Sequence, residues 1–348
     1  MVSLSGRLMQ AGRNAEAIAV GRQGLALAEL AGDPGLAARA HGSIGGARSF
    51  SGDPGGVADL ERALALAVEA NAPYSATAYS NLASCVVARG ELERAFELQA
   101  SGREAAERFG LANELRLLAA EHVLEDYWRG RWDAAVAGAD RFVAETAAGV
   151  RHFMEDVCRL VRGRIRLARG DLAGALEDAA ADVELGRQQG APEALQAALA
   201  LQAHALLVAG SVEEADARAG ELLALLAAQG VLVTNPDWSG ELALVLHDLG
   251  RGDELAPLVA RLSPLPPGLA AATAAARGDF EEAADQYARI GSQPDEAAAR
   301  LRAAGRLLEA GRPADADAQR RPALAFFRRV GATAQLRPAK APWVDSAS

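Results

Sequence analysis

Five histidines, two cysteines and one lysine set the limits on what chemistry this 348-residue chain can do. His41, His122, His152, His204 and His247 are scattered. None stands at the His-x-x-x-His or His-Glu-x-x-His spacing that places two ligands on one helix face, so the pattern predicts no metal site and no cofactor. No Gly-x-Ser-x-Gly elbow presents a serine nucleophile. With Lys340 the sole lysine, no Gly-x-x-x-x-Gly-Lys loop can cradle a phosphate. Carboxylate pairs such as Glu281-Glu282 and Asp315/Asp317 fall where acidic residues complement a helix N-terminus, which reads as a solvated face rather than an acid/base pair. Cys85 and Cys158 lie far apart without a partner motif, and read as small buried hydrophobes of a reduced compartment. What remains is recognition chemistry, and its densest concentration is Tyr127, Trp128, Arg131 and Trp132, with Arg164 on a later segment.

The elements that must position these groups are marked by glycine. An Ala/Arg-Gly-[charged or Ser] hinge recurs with its glycine at Gly12, Gly52, Gly90, Gly130, Gly170, Gly210 and Gly250, almost always 40 residues apart, and then, compressed, at Gly278 and Gly311. Glycine takes the left-handed conformation that ends one helix and turns tightly into the next. Five residues after it stands Ala17, Ala95, Ala135, Ala175, Ala215, Ala283 or Ala316, with Val57 and Leu255 the exceptions. Seven residues before it stands Ser5, Gly45, Ala83, Gly163, Ala203, Ala243, Ala271 or Ala304, with Val123 the misfit. Two small residues flanking one glycine let two helix backbones approach closely. Prolines punctuate the intervals, at Pro34, Pro73, Pro192, Pro236, Pro264 to Pro267 and Pro294. With no alternating apolar/polar run long enough for a strand, the chain reads as an all-α, right-handed α-α superhelix of about nine helical hairpins over 1–332. The hairpins are expected near 1–32, 36–71, 75–109, 113–148, 152–190, 192–230, 237–262, 266–290 and 294–330. Pro338, Lys340 and Pro342 break the helical pattern, which predicts a disordered tail over 333–348.

In such arrays the first helices line the concave side, and the residues three, six and ten before each hinge glycine point there. That rule nominates Ser80, Ser84, Tyr127, Arg164, His204 and His247, with Trp128 beside Tyr127, as a groove for a protein or peptide partner. The competing reading makes Trp132 simply the aromatic that packs a hinge, as Phe280 does at Gly278, and holds equally for Tyr127 and Trp128. Eight and four residues before the hinge, the Gly130 hairpin carries His122 and Asp126 while the next carries Arg162 and Arg166. The first account of these charges is a polar seam in which Asp126 accepts from one or both arginines. The rival account is a one-residue register slip that turns the arginines outward into an anion-binding stripe with Arg159 and Arg169.

A net charge of −10 and a pI near 5.2 make a nucleic-acid backbone or an anionic membrane a poor partner. No window approaches 18 uninterrupted apolar residues and no basic segment precedes an apolar core at the N-terminus, so the expected location is the cytoplasm. In the register of the array Met1 falls part-way into a first helix, which predicts a portion of a longer ancestor. It also leaves an apolar edge, expected to self-associate or take a partner through residues 1–30.

The segment Leu82-Ala83 followed by Arg89-Gly90-Glu91-Leu92-Glu93-Arg94-Ala95 resembles the tetratricopeptide repeat, at a unit of about 40 residues rather than 34. Units of this length resemble the helical sensor regions of large bacterial signalling ATPases, including those related to the maltose regulator and those fused to class III nucleotide cyclases. The runs Arg162 to Leu172, Pro294 to Ala304 and Ala323 to Thr333 are similar to the end of the cyclase-linked arrays. The resemblance implies a non-catalytic interaction or sensor scaffold of bacterial signal transduction or transcription control. Two alternatives stay open: a small-ligand or peptide sensor whose occupancy alters superhelical pitch, and a detached regulatory remnant of an ATPase or adenylate cyclase.

Overall fold

The computed structural model describes residues 1–10, 12–189, 192–230 and 238–336. Among these, eighteen α-helices form nine hairpins and no strand is present. The hairpins are α1 (Val2–Gln10) with α2 (Asn14–Leu30), α3 (Pro34–Phe50) with α4 (Gly56–Glu69), and α5 (Tyr74–Ala88) with α6 (Leu92–Phe109). Then come α7 (Ala112–Trp128) with α8 (Trp132–Ala147), α9 (Glu155–Arg169) with α10 (Leu172–Gln189), and α11 (Pro192–Ala209) with α12 (Val212–Gln229). In the seventh, α13 (Ser239–Asp248) is followed by a short 3₁₀ turn (Gly252–Glu254) and α14 (Leu255–Val259); α15 (Pro267–Ala276) with α16 (Phe280–Ile290) and α17 (Gln293–Glu309) with α18 (Pro313–Arg329) complete the array. The chain is an α-α superhelix.

All nine hinge glycines have positive φ, from 69° at Gly130 to 89° at Gly170. The small residues around them meet as the spacing requires. Ser5 Oγ donates to the Ala17 carbonyl at 2.7 Å, joining the two flanking positions of the first hinge directly. At the fifth hinge a Cβ built on Gly163 would stand 3.7 Å from the Ala175 carbonyl oxygen and only 2.7 Å from Leu201 of the next hairpin. Every alanine five places after a hinge is buried. Proline opens α3, α15, α17 and α18, where its missing N–H costs nothing, and the Asp33 side chain caps α3 by accepting from the Leu36 N–H at 2.9 Å.

The superhelix also touches itself. The Gly90 hinge of the third hairpin approaches Pro267 and Ile290 of the eighth, and the Gly130 hinge of the fourth approaches Phe326 and Arg329 of the ninth. Each of these two hinges therefore meets the hairpin five places further along. A Cβ at Gly130 would lie 2.9 Å from the Phe326 ring, so this glycine serves the inter-turn contact as well as the turn. One core cluster spans the contact, joining Phe96, Tyr127, Trp128, Trp132 and Ile165 to Ala297, Phe326, Phe327 and Val330. Beyond α18, residues 333–336 dock on the C-terminus of α9: Ala334 N–H donates to Ala168 O at 3.1 Å, Thr333 Oγ1 donates to Arg169 O at 2.7 Å, and Arg169 Nη2 donates to Val330 O at 3.0 Å. The carbonyls that a helix end leaves unpaired are satisfied in this way. The rest of the tail expected over 333–348 lies outside the described residues, as does the Pro236 boundary.

The charged interruptions at Asp126, Arg162 and Arg166 take a third arrangement. Asp126 is buried but accepts from Arg131 Nε at 2.6 Å, within its own hinge, and does not pair with Arg162 or Arg166. The carboxylate of the seam is Asp178 on α10, whose two oxygens accept from Arg162 Nε and Nη2 at 2.9 and 2.5 Å and from Arg166 Nη1 at 2.9 Å. Arg162 Nη1 also reaches Asp140 on α8 at 2.7 Å. No outward stripe forms either, since Arg159 pairs with Glu155 and Arg169 with Asp133. The physical reason is local: eight places after the hinge, the second helix of the same hairpin faces the positions eight and four before it. Asp178 supplies the charge there without crossing to the neighbouring hairpin.

Candidate functional site

At the centre of the superhelix, α9 and α13 face each other across the lumen and are joined by a two-pronged ion pair. Arg164 Nε donates to Glu241 Oε1 at 2.6 Å and Nη2 to Oε2 at 2.8 Å. The side chains retain only 7% and 12% of their exposure, so a strong pair is held where water is largely excluded. The Arg164 guanidinium also lies 5.6 Å from the centre of the Tyr127 ring. Tyr127 in turn stacks on Trp132, with ring centres 5.7 Å apart and planes within 9°, and Trp132 packs edge-on against Phe326. Trp132 Nε1 donates to the Tyr127 carbonyl at 3.1 Å. Trp128 contacts Phe96 at 6.2 Å.

The ion pair divides the lumen into two hollows that share Arg164, Gly240, Glu241 and Asp295. The smaller, about 70 Å³, is bounded by Trp128, Ser239, Tyr287 and Ser292. The larger, about 110 Å³, is bounded by Tyr127, Leu167, His204, Leu244, Arg302 and Gln335. Ser292 Oγ donates to Asp295 Oδ2 at 2.5 Å. Burial, with Asp295 and Glu241 nearby, holds the Tyr287 hydroxyl well above its ordinary pKa, so it stays a neutral donor. Burial lowers the His204 pKa, with Glu241 opposing, which favours a neutral imidazole that can either donate or accept. The arrangement offers apolar contact, the neutral Tyr287 and His204, and charge in the Arg164–Glu241 pair, Asp295 and Arg302. Among the described residues no three histidine, cysteine or acidic side chains cluster to hold a metal, and no helix is long and apolar enough to cross a membrane.

Of the groove residues nominated from spacing, Tyr127, Trp128, Arg164 and His204 come together around this lumen. Ser80, Ser84 and His247 stand elsewhere. Ser80 is buried beside Glu121 on α7, Ser84 Oγ donates back to Ser80 O at 3.1 Å on an exposed helix face, and His247 packs edge-on against Phe280 at 4.7 Å at a hinge. Tyr127, Trp128 and Trp132 are all buried, so they also serve as core. Glu241, Tyr287, Ser292, Asp295 and Arg302 were not legible as site residues. Glu241 stands nine places before Gly250, one place off the groove rule, and the other four lie in the eighth and ninth hairpins, which enter the lumen because the superhelix closes on itself.

No family model matches the chain, and no curated protein matches it. Among solved structures the chain is similar to a Rap protein complexed with Competence and Sporulation Factor, at 12% identity over 96% of this chain and 98% of that one, with a TM-score of 0.62. It also aligns with the apo form of RapI at 11% identity over 94% of this chain and 97% of that one, with a TM-score of 0.48. The first likeness establishes the fold: a Rap-like helical array along nearly the whole of both chains.

Proposed function

We propose that this chain is a non-catalytic recognition scaffold whose lumen takes side chains of an extended protein or peptide segment, in a signalling or transcription-control role. The observation that carries the reading is the buried Arg164–Glu241 pair set between two hollows lined by aromatic and neutral polar groups. A carboxylate of the partner can replace Glu241 on the Arg164 fork, while apolar side chains enter beside Leu244 and Trp128. That a Rap protein of the same fold was solved with a bound factor supports recognition rather than catalysis as the use of this architecture. A second contact is supported at the N-terminal end, where Leu4, Leu27 and Leu30 are exposed on α1 and α2, with Leu30 retaining 86% of its accessibility. This apolar face fits self-association through residues 1–30.

The test is selection of displayed random peptides against the intact protein, followed by binding of the enriched peptides to His204→Ala and Leu244→Ala. Enrichment of acidic-plus-apolar peptides that lose affinity for both variants, while melting temperatures hold, is the expected result. Peptides that bind both variants as well as the parent would refute the lumen as the recognition site.

A further inference from the structure

Outside the lumen, a hollow of largely apolar lining lies between two turns of the superhelix. Its volume is about 370 Å³, within the range of small-molecule sites. One wall is formed by the hinge ends of the second and third hairpins, with Val57 and Cys85 at the floor. The opposite wall is the connection from α14 to α15, which contributes Leu262, Pro264, Leu265 and Pro267. Polar groups are few. Ser49 borders this hollow with its Oγ shielded from solvent, beside the Cys85 thiol. Arg89 at the rim is half-exposed and pairs with Glu91 through Nε at 2.9 Å.

Each feature argues for a ligand of one class. Prolines leave the facing loop few backbone donors to turn toward the hollow, so that wall is apolar. The charged residues at the mouth are already paired, Asp53 with Arg48 at 2.8 Å and Arg89 with Glu91, so an ionic ligand gains little there. We infer that this hollow is a binding site for a small, largely apolar, uncharged molecule. Because the two walls belong to hairpins five places apart, such a molecule bridges successive turns and fixes the superhelical pitch. The lumen is not involved, and this inference stands whether or not the lumen takes a peptide.

The experiment titrates the full chain with N-phenylnaphthylamine, an apolar fluorescent amine, and follows its emission together with the scattering radius of gyration. A saturable, one-to-one enhancement with a narrower spread of sizes is expected. Val57→Phe fills the floor of the hollow and should weaken the probe by about tenfold or more. Leu265→Asp, on the loop and outside the helices, should do the same if the first variant fails to fold. His204→Ala in the lumen and Leu30→Glu on the N-terminal face should leave probe binding unchanged. Absence of a saturable enhancement, or unchanged affinity in a cooperatively melting Val57→Phe or Leu265→Asp protein, would overturn the assignment. So would loss of the probe with Leu30→Glu, which would place it on the exposed end of the array.

Discussion

Glu241→Gln is the sharpest perturbation of the lumen, because it preserves the shape of the side chain and deletes only its charge. In the parent, Arg164 and Glu241 form a bidentate pair across 77 residues of chain, and both are almost wholly buried. Deleting the Glu241 charge breaks both arms of this pair in a poorly solvated interior, which costs up to about 3–5 kcal/mol. Arg164→Met strands the carboxylate and also gives up the guanidinium contact on the Tyr127 ring, adding about 1 kcal/mol. Combining Arg164→Met with Glu241→Gln removes both charges of the pair, so much of the loss should return. Equilibrium urea unfolding of the four proteins, followed by circular dichroism, gives the coupling energy, and small-angle scattering of the same samples reports pitch. The single variants should expand, because the pair is the strut between the fifth and seventh hairpins, while the double variant regains stability without regaining the strut. Single effects that add to within about 0.5 kcal/mol in the double variant would refute the argument, since independent sites add in that way.

Glu121 offers a pH test. Burial pushes its carboxyl up from 4.5 to about 8, with the Ser80 hydroxyl opposing weakly. Its contribution to stability is full below about pH 4.5 and is lost as pH rises toward 8, because the unfolded chain ionises first. Glu121→Gln should flatten that slope and raise stability by about 3 kcal/mol at pH 7, and a parallel pH profile for variant and parent would show that the carboxyl is not held neutral. Asp178→Ala removes the carboxylate shared by Arg162 and Arg166, leaves Arg162 only its contact with half-exposed Asp140, and should cost about 3 kcal/mol in thermal or urea melts. Asp126→Ala frees only the half-exposed Arg131 and should cost about 1 kcal/mol, so equal losses would return Asp126 to the seam. Leu27→Glu with Leu30→Glu should convert any concentration-dependent species in sedimentation velocity to monomer, and a parent that stays monomeric throughout would rule out self-association by this face.

The repeat was legible in the sequence because it is enforced locally. Positive φ at Gly12, Gly90 or Gly170 and methyl-sized contacts at Ala175 or Ala215 are demands of a single hairpin, and each hairpin states them in its own 40 residues. Of the residues a one-hairpin groove rule nominates, Tyr127, Arg164 and His204 border the lumen, with Trp128 beside Tyr127. The same rule placed Ser80, Ser84 and His247 where no lumen wall exists, and paired Asp126 with arginines that Asp178 holds instead. What the chain does not spell out locally is its pitch, the small rotation that each hairpin adds to the last. Summed over five hairpins, that rotation brings Phe326 onto Gly130, Ile290 onto Gly90 and Ala334 onto Ala168, and carries Tyr287 and Asp295 into the lumen beside Arg164. Interfaces between neighbours fix such a sum only when all are in place, so the fold could be read from the spacing of glycines, while the contents of the lumen and the hollow between turns were decided by the closed superhelix.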